Sequence, residues 1–382
     1  MVCLDFRFTD EQELFRKTVA EFVAKNVTPQ AQGIDQKGEF PFELFRKLGG
    51  MGYFGLRYPP EVGGAGADNT TFCIFCEEMA RGSMVVASIA AMQSLMGTHF
   101  IYKYGTDEHK KRLLIPAIRG DIVSTIAMTE PGAGSDLGAV QTTAKLDGSE
   151  WVIDGTKTWI TNGTVADFFS VLATTDKSKG IKGVNFFLVE KKMPGVTIGR
   201  NIEKLGVRGT ATTELSFNNV RIPKENLMGV VGEGAKDLLG ILGEIRTMTG
   251  ALGIGLSRAA LDDSIKYAKE RVQFGKPIGE YQAIKLKLGS MATELEAAKL
   301  MVYYASWLID QKIRATKECA MAKLYSSEVT LKIVDEATRI FASYGFAMDL
   351  PVQRYFRDAR FLLSGGGTNE ILLVNISKEL GV

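Results

Sequence analysis

The sequence has little of the chemistry on which metal sites and histidine-based catalysis depend. Its 382 residues include only two histidines, His99 and His109, which argues against catalytic triads and His-rich metal sites. Four cysteines are too few and too scattered for a disulfide framework. Cys73 and Cys76 have the spacing of a redox or metal pair, but no second such pair or nearby histidine completes a site. We therefore predict buried helical thiols here and no bound metal.

A charge imbalance and a long apolar run are also missing. Lys and Arg number 46 against 44 Asp and Glu, a net charge of +2 without a basic stripe, so the sequence has no electrostatic footprint for nucleic acid. No run of about eighteen apolar residues occurs, so we predict no membrane span. Apolar residues make up 45% and charged residues 24%, as in globular proteins. The cytoplasm is the default compartment, although a mature organellar protein would have the same composition.

Apolar periodicity divides the chain into three parts, and the length is too great for one ordinary core. Residues 1–120 have helical spacing, residues 121–230 alternate with a period of two, and residues 231–382 return to long helical windows. The middle part lacks intervening helices, which favours a small barrel or sandwich over a doubly wound sheet. The long proline-poor windows at the end predict a helical bundle.

Two local predictions follow from the same patterns. The stretch from Thr71 to about Ile101 has helical spacing and is nearly apolar all round from Met84 onward, which predicts one long buried helix. Residues 151–160 predict two short strands joined by a turn at Asp154-Gly155.

Four short segments carry the functional signals, and each also has a plain structural explanation. Residues 128–136 combine glycines with hydroxyls that can approach a phosphate or a flavin edge, or form an ordinary turn. Residues 159–163 offer an aromatic face for a flat ring, or a Trp at a strand end. Residues 271–275 place an Arg at a helix exit, where it can bind a pyrophosphate or act as a solvated cap. Residues 365–371 form a glycine loop before an apolar helix, which suits an anion or a flexible helix start.

In this order and spacing, the four segments resemble the acyl-CoA dehydrogenase family. The likeness covers essentially the whole chain, and its most specific parts are Thr129-Glu-Pro-Gly-Ala-Gly-Ser-Asp136 and Arg271-Val-Gln-Phe-Gly275. The resemblance implies the α+β acyl-CoA dehydrogenase fold, with a helical N-terminal domain, a middle β-barrel and a C-terminal four-helix bundle, usually assembled as a homotetramer. It also implies non-covalent FAD, an acyl-CoA substrate and an electron-transfer flavoprotein as acceptor.

The resemblance assigns roles residue by residue. It implies that the FAD site of this chain contains Met128, Thr129, Ser135, Trp159, Thr161, Thr368 and Glu370, while Arg271 and Phe274 reach the FAD of a neighbouring subunit. Arg246 matches an Arg near the CoA part of the substrate, and Ser135 is expected to contact substrate as well. One cofactor motif departs from the family: relatives often have Gln-x-x-Gly-Gly-x-Gly where this chain has Arg339-Ile-Phe-Ala-Ser-Tyr-Gly345, so we expect different contacts on the adenine side.

The base that removes the α-proton in this family is missing from both of its usual positions. Most relatives carry a Glu before the Gly-Thr of the final loop, where this chain has Gly366; a second group carries it before the Arg of the long helix, where this chain has Ile245. Glu244 is the neighbouring candidate, but one residue along a helix turns a side chain by about 100°. Relatives that form cyclic dienes use an Asp on the opposite wall, where this chain has Ala91, and residues 84–106 contain no Asp or Glu. The proton acceptor is therefore unassigned.

Three functions stay open at this point. The first is FAD-dependent dehydrogenation, with hydride passing to flavin N5, of a bulky or alicyclic acyl group such as cyclohexene- or cyclohexane-carboxyl-CoA, because Gly366 enlarges the space beside the α-carbon. The second is a desulfinase-type elimination from a thioester without net oxidation. The third is a non-catalytic subunit that binds FAD or acyl-CoA.

Overall fold

A computed structural model describes residues 7–382, and helices dominate its first third. The first helix starts at a capping box, in which the Gln12 N–H donates to Thr9 Oγ1 at 3.2 Å and the Thr9 N–H donates to Gln12 Oε1 at 3.1 Å. Cys3 lies outside the described residues. The helices of this part are α1 Asp10–Phe22, α2 Ala31–Lys37, α3 Phe42–Gly50, α4 Asn69–Gly82, α5 Met84–Ala91, α6 His99–Tyr104, α7 Asp107–His109 and α8 Ile115–Arg119.

The predicted single helix from Thr71 to Ile101 is wrong, because Ser83 interrupts it. Helix α4 ends at Gly82, and Ser83 takes an extended backbone with φ −160° and ψ 119°. Its side chain accepts a hydrogen bond from the Val86 N–H at 3.4 Å. A Ser side chain supplies the acceptor that the first N–H groups of a helix lack, so it ends one helix and starts the next.

The apolar segment after Ser83 is a core element. Met84–Tyr104 is long and apolar enough to cross a membrane by composition, but 78% of the qualifying window is buried inside the chain, as in a core helix. In α4, Cys73 and Cys76 are also buried, and burial raises the pKa of both thiols, that of Cys73 to about 12. The prediction of buried helical thiols is confirmed for these two cysteines.

The middle part forms a sheet that carries the first two functional segments. Its strands are β1 Ser124–Ala127, β2 Thr143–Asp147, β3 Glu150–Ile160, β4 Phe168–Thr174, β5 Val184–Glu190, β6 Val196–Asn201, β7 Thr213–Pro223 and β8 Leu227–Met228. They pair in the order β6-β7-β3-β2-β4-β5-β8, with β1 parallel beside β4. β4 and β5 are buried along almost their whole length, which explains their continuous apolar sequences.

The predicted turn at Asp154-Gly155 is wrong, because β3 runs without a break through both residues. The hairpin turn lies earlier, at Gly148, whose φ is 59° and whose neighbours Asp147 and Glu150 are paired across the strands. Gly155 is required for another reason: a Cβ on it would lie 2.4 Å from Thr142 Oγ1. Thr142 approaches position 155 closely, and the pairing of β3 with β7 shifts in register there. Both features favour a glycine, so the sequence resembles that of a turn although the strand continues.

The last part is a bundle of long helices that completes the core. Its elements are α9 Gly234–Glu270, β9 Val272–Gln273, β10 Lys276–Pro277, α10 Gln282–Asp310, α11 Thr316–Phe341, α12 Pro351–Ala359 and α13 Asn369–Glu379. Helix α9 packs against α4, α10 and α11. The order of helices, sheet and helices agrees with the predicted α+β architecture. The limits at residues 120 and 230 stay a prediction, because one buried core includes residues of all three parts.

Candidate active site

The loop after β1 is held by a buried ion pair. The Lys157 ammonium donates to the Met128 carbonyl at 2.9 Å and to the Glu130 carboxylate at 2.7 Å. Both side chains are buried, and burial lowers the pKa of Lys157 to about 8. Glu130 also accepts the backbone N–H groups of Gln141 at 2.6 Å and Thr142 at 3.0 Å. These contacts fix the backbone of the glycine-containing loop before any ligand binds.

The structure brings the first two functional segments together. The Thr158 N–H donates to the Thr129 carbonyl at 2.9 Å, and the Thr125 hydroxyl donates to the Thr161 carbonyl at 2.6 Å. Between these two hydrogen bonds, Trp159 has a positive φ of 59° and is 58% exposed. The alternative explanation, a Trp at a strand end packed in the core, is therefore wrong. The end of β3 therefore presents an aromatic face beside the loop that follows β1.

Two residues of these segments have less expected surroundings. Ser135 is exposed on the outer part of its loop. Asn162 is fully buried, yet both polar atoms of its side chain have no partner within residues 7–382. An unsatisfied buried amide is costly, so Asn162 is a position where a polar ligand edge would add a hydrogen bond. The sequence interpretation missed this residue, although it belongs to the segment 159–163.

The final loop is fixed by a second buried lysine. The Lys323 ammonium donates to the Gly367 carbonyl at 2.7 Å and to Asn369 Oδ1 at 2.9 Å. Gly366 and Gly367 have φ values of 73° and 103°, which favour glycine. Thr368 caps α13 by accepting the Ile371 N–H at 3.3 Å.

The two usual positions of the base face each other in space. A Cβ built on Gly366 would lie 3.7 Å from Ile245 Cγ2 and 2.8 Å from Thr249 Oγ1. Ile245 is only 2% exposed on α9. The two positions at which the resemblance leads us to expect the base therefore meet at one point, and neither carries a carboxylate in this chain.

The other two candidate positions supply no free carboxylate beside this point. Glu244 forms an ion pair with Arg57, a residue that the sequence interpretation did not single out. Ala91 is buried at the end of α5 and is followed by a π-helical turn, Met92–Met96. Because its carboxylate is paired with Arg57, Glu244 is not free to take a proton from a substrate.

Arg246 is a buried cation without a protein partner. It is 5% exposed, its Nε has no hydrogen-bond acceptor, and it forms no ion pair within residues 7–382. Burial lowers the pKa of its guanidinium. Cys319 and Lys323 of α11 are close to it: burial raises the pKa of Cys319 to about 12 against the opposing charge of Arg246, and burial together with that charge lowers the pKa of Lys323 to about 8. The side chain therefore lies between α9 and α11, next to the final loop.

The hairpin after α9 lies apart from these groups. Arg271 ends α9, and its guanidinium lies 5.6 Å from the centre of the Tyr344 ring. Phe274 has a φ of 50° and is 95% exposed. Segment 339–345, whose sequence differs from the family's cofactor motif, thus contacts the Arg271 side chain through Tyr344. An aromatic ring this exposed suits a contact with another subunit, and the roles of both hairpin residues stay predictions.

The arrangement suits a flat cofactor that carries phosphates. The exposed Trp159 face lies beside a glycine-containing loop with a preset backbone, and Asn162 has polar atoms to satisfy. Glu370 is exposed in the first turn of α13, while Thr368 caps that helix. These residues fit FAD, as the sequence predicts.

Comparison with known proteins identifies the family. The family models described as the acyl-CoA dehydrogenase N-terminal, middle and C-terminal domains match residues 9–121, 125–220 and 232–381. The benzylmalonyl-CoA dehydrogenase of Aromatoleum aromaticum is 49% identical over 99% of this chain and 100% of its own length. The caffeyl-CoA reductase-Etf complex subunit CarC of Acetobacterium woodii is 39% identical over 98% of this chain and 99% of its own.

A solved structure gives the same result. The glutaryl-CoA dehydrogenase structure with glutaryl-CoA superposes with a TM-score of 0.96 at 37% identity, over 99% of this chain and 97% of that one. The predicted fold and the predicted FAD cofactor are confirmed at the level of the family. The chain belongs to the acyl-CoA dehydrogenase family of FAD-dependent oxidoreductases.

Proposed function

We propose that this acyl-CoA dehydrogenase acts on a thioester whose α-carbon carries its own carboxylate and whose acyl group is bulky, as in a benzylmalonyl thioester. The observation that carries the proposal is the convergence of Gly366 and Ile245 on one point without a carboxylate. An ordinary acyl-CoA dehydrogenase needs a base at that point to take the α-proton. A substrate that releases CO2 instead needs no such base.

The reaction balances without a proton acceptor. The bond from the α-carbon to the carboxylate breaks, CO2 leaves, and the electron pair stays on the α-carbon. That pair forms the double bond to the β-carbon as a hydride departs from it. Bound FAD supplies the hydride acceptor. The products are an α,β-unsaturated thioester, CO2 and the two-electron reduced cofactor.

In this reaction the protein removes water from the substrate carboxylate and orients the α-carbon. Ile245 presents an apolar surface at the place where the carboxylate would leave. Binding removes the α-carboxylate from bulk water, and the CO2 that leaves needs no such hydration, which favours its loss. The absence of a side chain on Gly366 leaves space for a substituted α-carbon.

Similarity supports the same substrate class. The relative that is 49% identical over nearly the whole chain is named for benzylmalonyl-CoA, a thioester with an α-carboxylate and an aromatic substituent. A bulky acyl group also agrees with the small residue at position 366.

A second candidate substrate is a bulky alicyclic acyl group, such as cyclohexane- or cyclohexene-carboxyl-CoA. Gly366 favours it through the space beside the α-carbon. This reaction still requires a proton acceptor, and Ala91 does not provide one on the opposite wall. It therefore ranks below the α-carboxylated substrate.

We further propose an electron-transfer flavoprotein as acceptor, a homotetrameric assembly and a cytoplasmic location. The acceptor is supported by the relative named as a subunit of an Etf complex. The assembly is supported by the 95% exposure of Phe274, which leaves an aromatic side chain available to a neighbouring subunit.

The test is anaerobic bleaching of the bound flavin by a matched panel of thioesters. Benzylmalonyl-CoA and 3-phenylpropionyl-CoA differ only in the α-carboxylate, and cyclohexanecarboxyl-CoA and butyryl-CoA complete the panel. We expect only the α-carboxylated thioester to bleach the flavin rapidly, with one CO2 released per flavin reduced.

Other outcomes would contradict the proposal in distinct ways. Equal bleaching by 3-phenylpropionyl-CoA would show that a base exists. Fastest bleaching by the cyclic member would favour the second candidate, and fastest oxidation of butyryl-CoA would exclude a bulky substrate. Sulfite release from a sulfinyl thioester without an acceptor would indicate a desulfinase, and no bleaching by any thioester would indicate a binding subunit.

A further inference from the structure

Two buried cations beside the final loop have no anionic partner. Lys323 is fully buried and donates only to neutral groups, the Gly367 carbonyl and Asn369 Oδ1. Arg246 is 5% exposed and forms no hydrogen bond or ion pair within residues 7–382. The family fold therefore contains, in this chain, a buried site with uncompensated positive charge.

Such a site is costly unless an anion enters it. A buried charge needs a partner, and two neighbouring cations repel each other in a low dielectric. Consistent with this repulsion, burial and the charge of Arg246 lower the pKa of Lys323 to about 8. Two acids act on Lys323 from a distance: Glu328, which accepts from Asn369 Nδ2 at 2.6 Å, and Glu370, which is exposed. Neither acid forms an ion pair with the two cations.

The position of the site shows which anion is missing. Arg246 directly follows Ile245, and Lys323 is bonded to the carbonyl next to Gly366. A carboxylate at position 366 would lie next to the Gly367 carbonyl to which Lys323 donates, and Lys323 is close enough to Arg246 for their charges to interact. This chain has lost that carboxylate and kept the cations.

We propose that Arg246 binds the α-carboxylate of the substrate and so determines specificity, with the charge of Lys323 adding to the attraction. The inference rests on the proposed function, since it names the residue that recognises its α-carboxylate. It reassigns Arg246 from the CoA part of the substrate to the acyl part. An arginine suits the task, because its planar guanidinium can hold a carboxylate in one orientation.

The experiment compares two ligands on three proteins. Binding of benzylmalonyl-CoA and 3-phenylpropionyl-CoA is measured by titration calorimetry in wild type, Arg246→Lys and Arg246→Gln, with the bound FAD reduced beforehand so that neither ligand is turned over. We expect the wild type to prefer the carboxylated ligand and Arg246→Gln to lose about 10- to 100-fold of that preference, the range for a charge-assisted hydrogen bond. Arg246→Lys keeps the charge and should retain part of the preference. In turnover, the loss should fall on KM more than on kcat.

A control variant and a stability measurement keep the test decisive. Lys145 is exposed on β2, so Lys145→Gln should leave the preference unchanged. FAD content of Arg246→Gln should match the wild type, and its Tm should be equal or higher, because a buried cation without a partner is removed. Equal weakening of both thioesters by Arg246→Gln would place the residue at the CoA part and overturn the inference.

The inference and the proposed function can fail separately. If the wild type prefers the carboxylated ligand through Arg246 but releases no CO2 from it, the anion site stands and the proposed reaction fails. If CO2 is released with the same preference in Arg246→Gln as in the wild type, the reaction stands and the inference fails.

Discussion

Restoring a carboxylate at Ile245 should give this chain the activity that its sequence lacks. Ile245 is 2% exposed on α9, and its Cγ2 lies 3.7 Å from the position of a Cβ on Gly366. In Ile245→Glu a carboxylate therefore enters the point that both usual base positions share. The Lys323 ammonium donates to the Gly367 carbonyl near this point and can compensate part of the cost of burying the new charge. We expect the variant to dehydrogenate 3-phenylpropionyl-CoA without decarboxylation.

The size of the gain follows from the usual contribution of a general base. A positioned base accelerates proton abstraction roughly 10²- to 10⁴-fold, which is about 3–5 kcal/mol of barrier. The graft is not optimised, so we expect the lower end, about 100-fold. Losing the apolar burial of Ile245 should lower the free energy of unfolding by about 2 kcal/mol, which affects stability and not the rate per folded, FAD-loaded enzyme.

The assay is stopped-flow bleaching of the bound flavin under anaerobic conditions. Ile245→Gln is the matched control, since it has the same length and polarity but cannot accept the proton. The rate of Ile245→Glu should fall at low pH, as the new carboxylate becomes protonated. Equal rates for the two variants would refute the argument that the missing carboxylate limits ordinary dehydrogenation.

The same graft at Gly366 should work less well. Its φ of 73° is unfavourable for a side chain, and a Cβ there would lie 2.8 Å from Thr249 Oγ1. Strain of this kind costs on the order of 1–3 kcal/mol. A Gly366→Glu variant that matched Ile245→Glu in rate and stability would contradict the geometry.

Three further predictions concern stability, pH and assembly. Lys157→Met should lower the free energy of unfolding by about 3 kcal/mol, because it leaves Glu130 buried without its cation; denaturant titration measures this, and adding Glu130→Gln should recover part of the loss. Burial raises the pKa of Asp358 to about 7, although the carboxylate accepts the Val207 N–H at 2.6 Å. The folded state thus binds the proton more tightly than the unfolded state, so Asp358 costs stability as pH rises from about 4 to about 7. Asp358→Asn should accordingly be more stable relative to wild type at pH 8 than at pH 5 in thermal unfolding; the same difference at both pH values would contradict the assignment. Phe274→Ala should reduce the tetramer fraction in light scattering and speed FAD release, whereas a side chain that only faces solvent would leave both unchanged.

Local sequence patterns were enough for the order of helices, strands and helices. The glycine loop before α13 depends on residues next to each other in the chain, so the sequence predicts it directly, whereas the capping role of Thr368 was seen only in the structure. Patterns of the same kind failed at Ser83 and Gly155. A strongly apolar stretch concealed a helix start at Ser83, and at Gly155 the close approach of Thr142 imitated the composition of a turn.

The sequence by itself determined that neither position 245 nor position 366, where the resemblance leads us to expect the base, carries a carboxylate. The tertiary structure alone decided what this loss means. It placed Ile245 against Gly366, paired Glu244 with Arg57, and left Arg246 buried without a partner among residues 7–382. Periodicity reports which face of one element is buried, but not which distant residue meets that face. Packing of α9 against its neighbours settles those contacts.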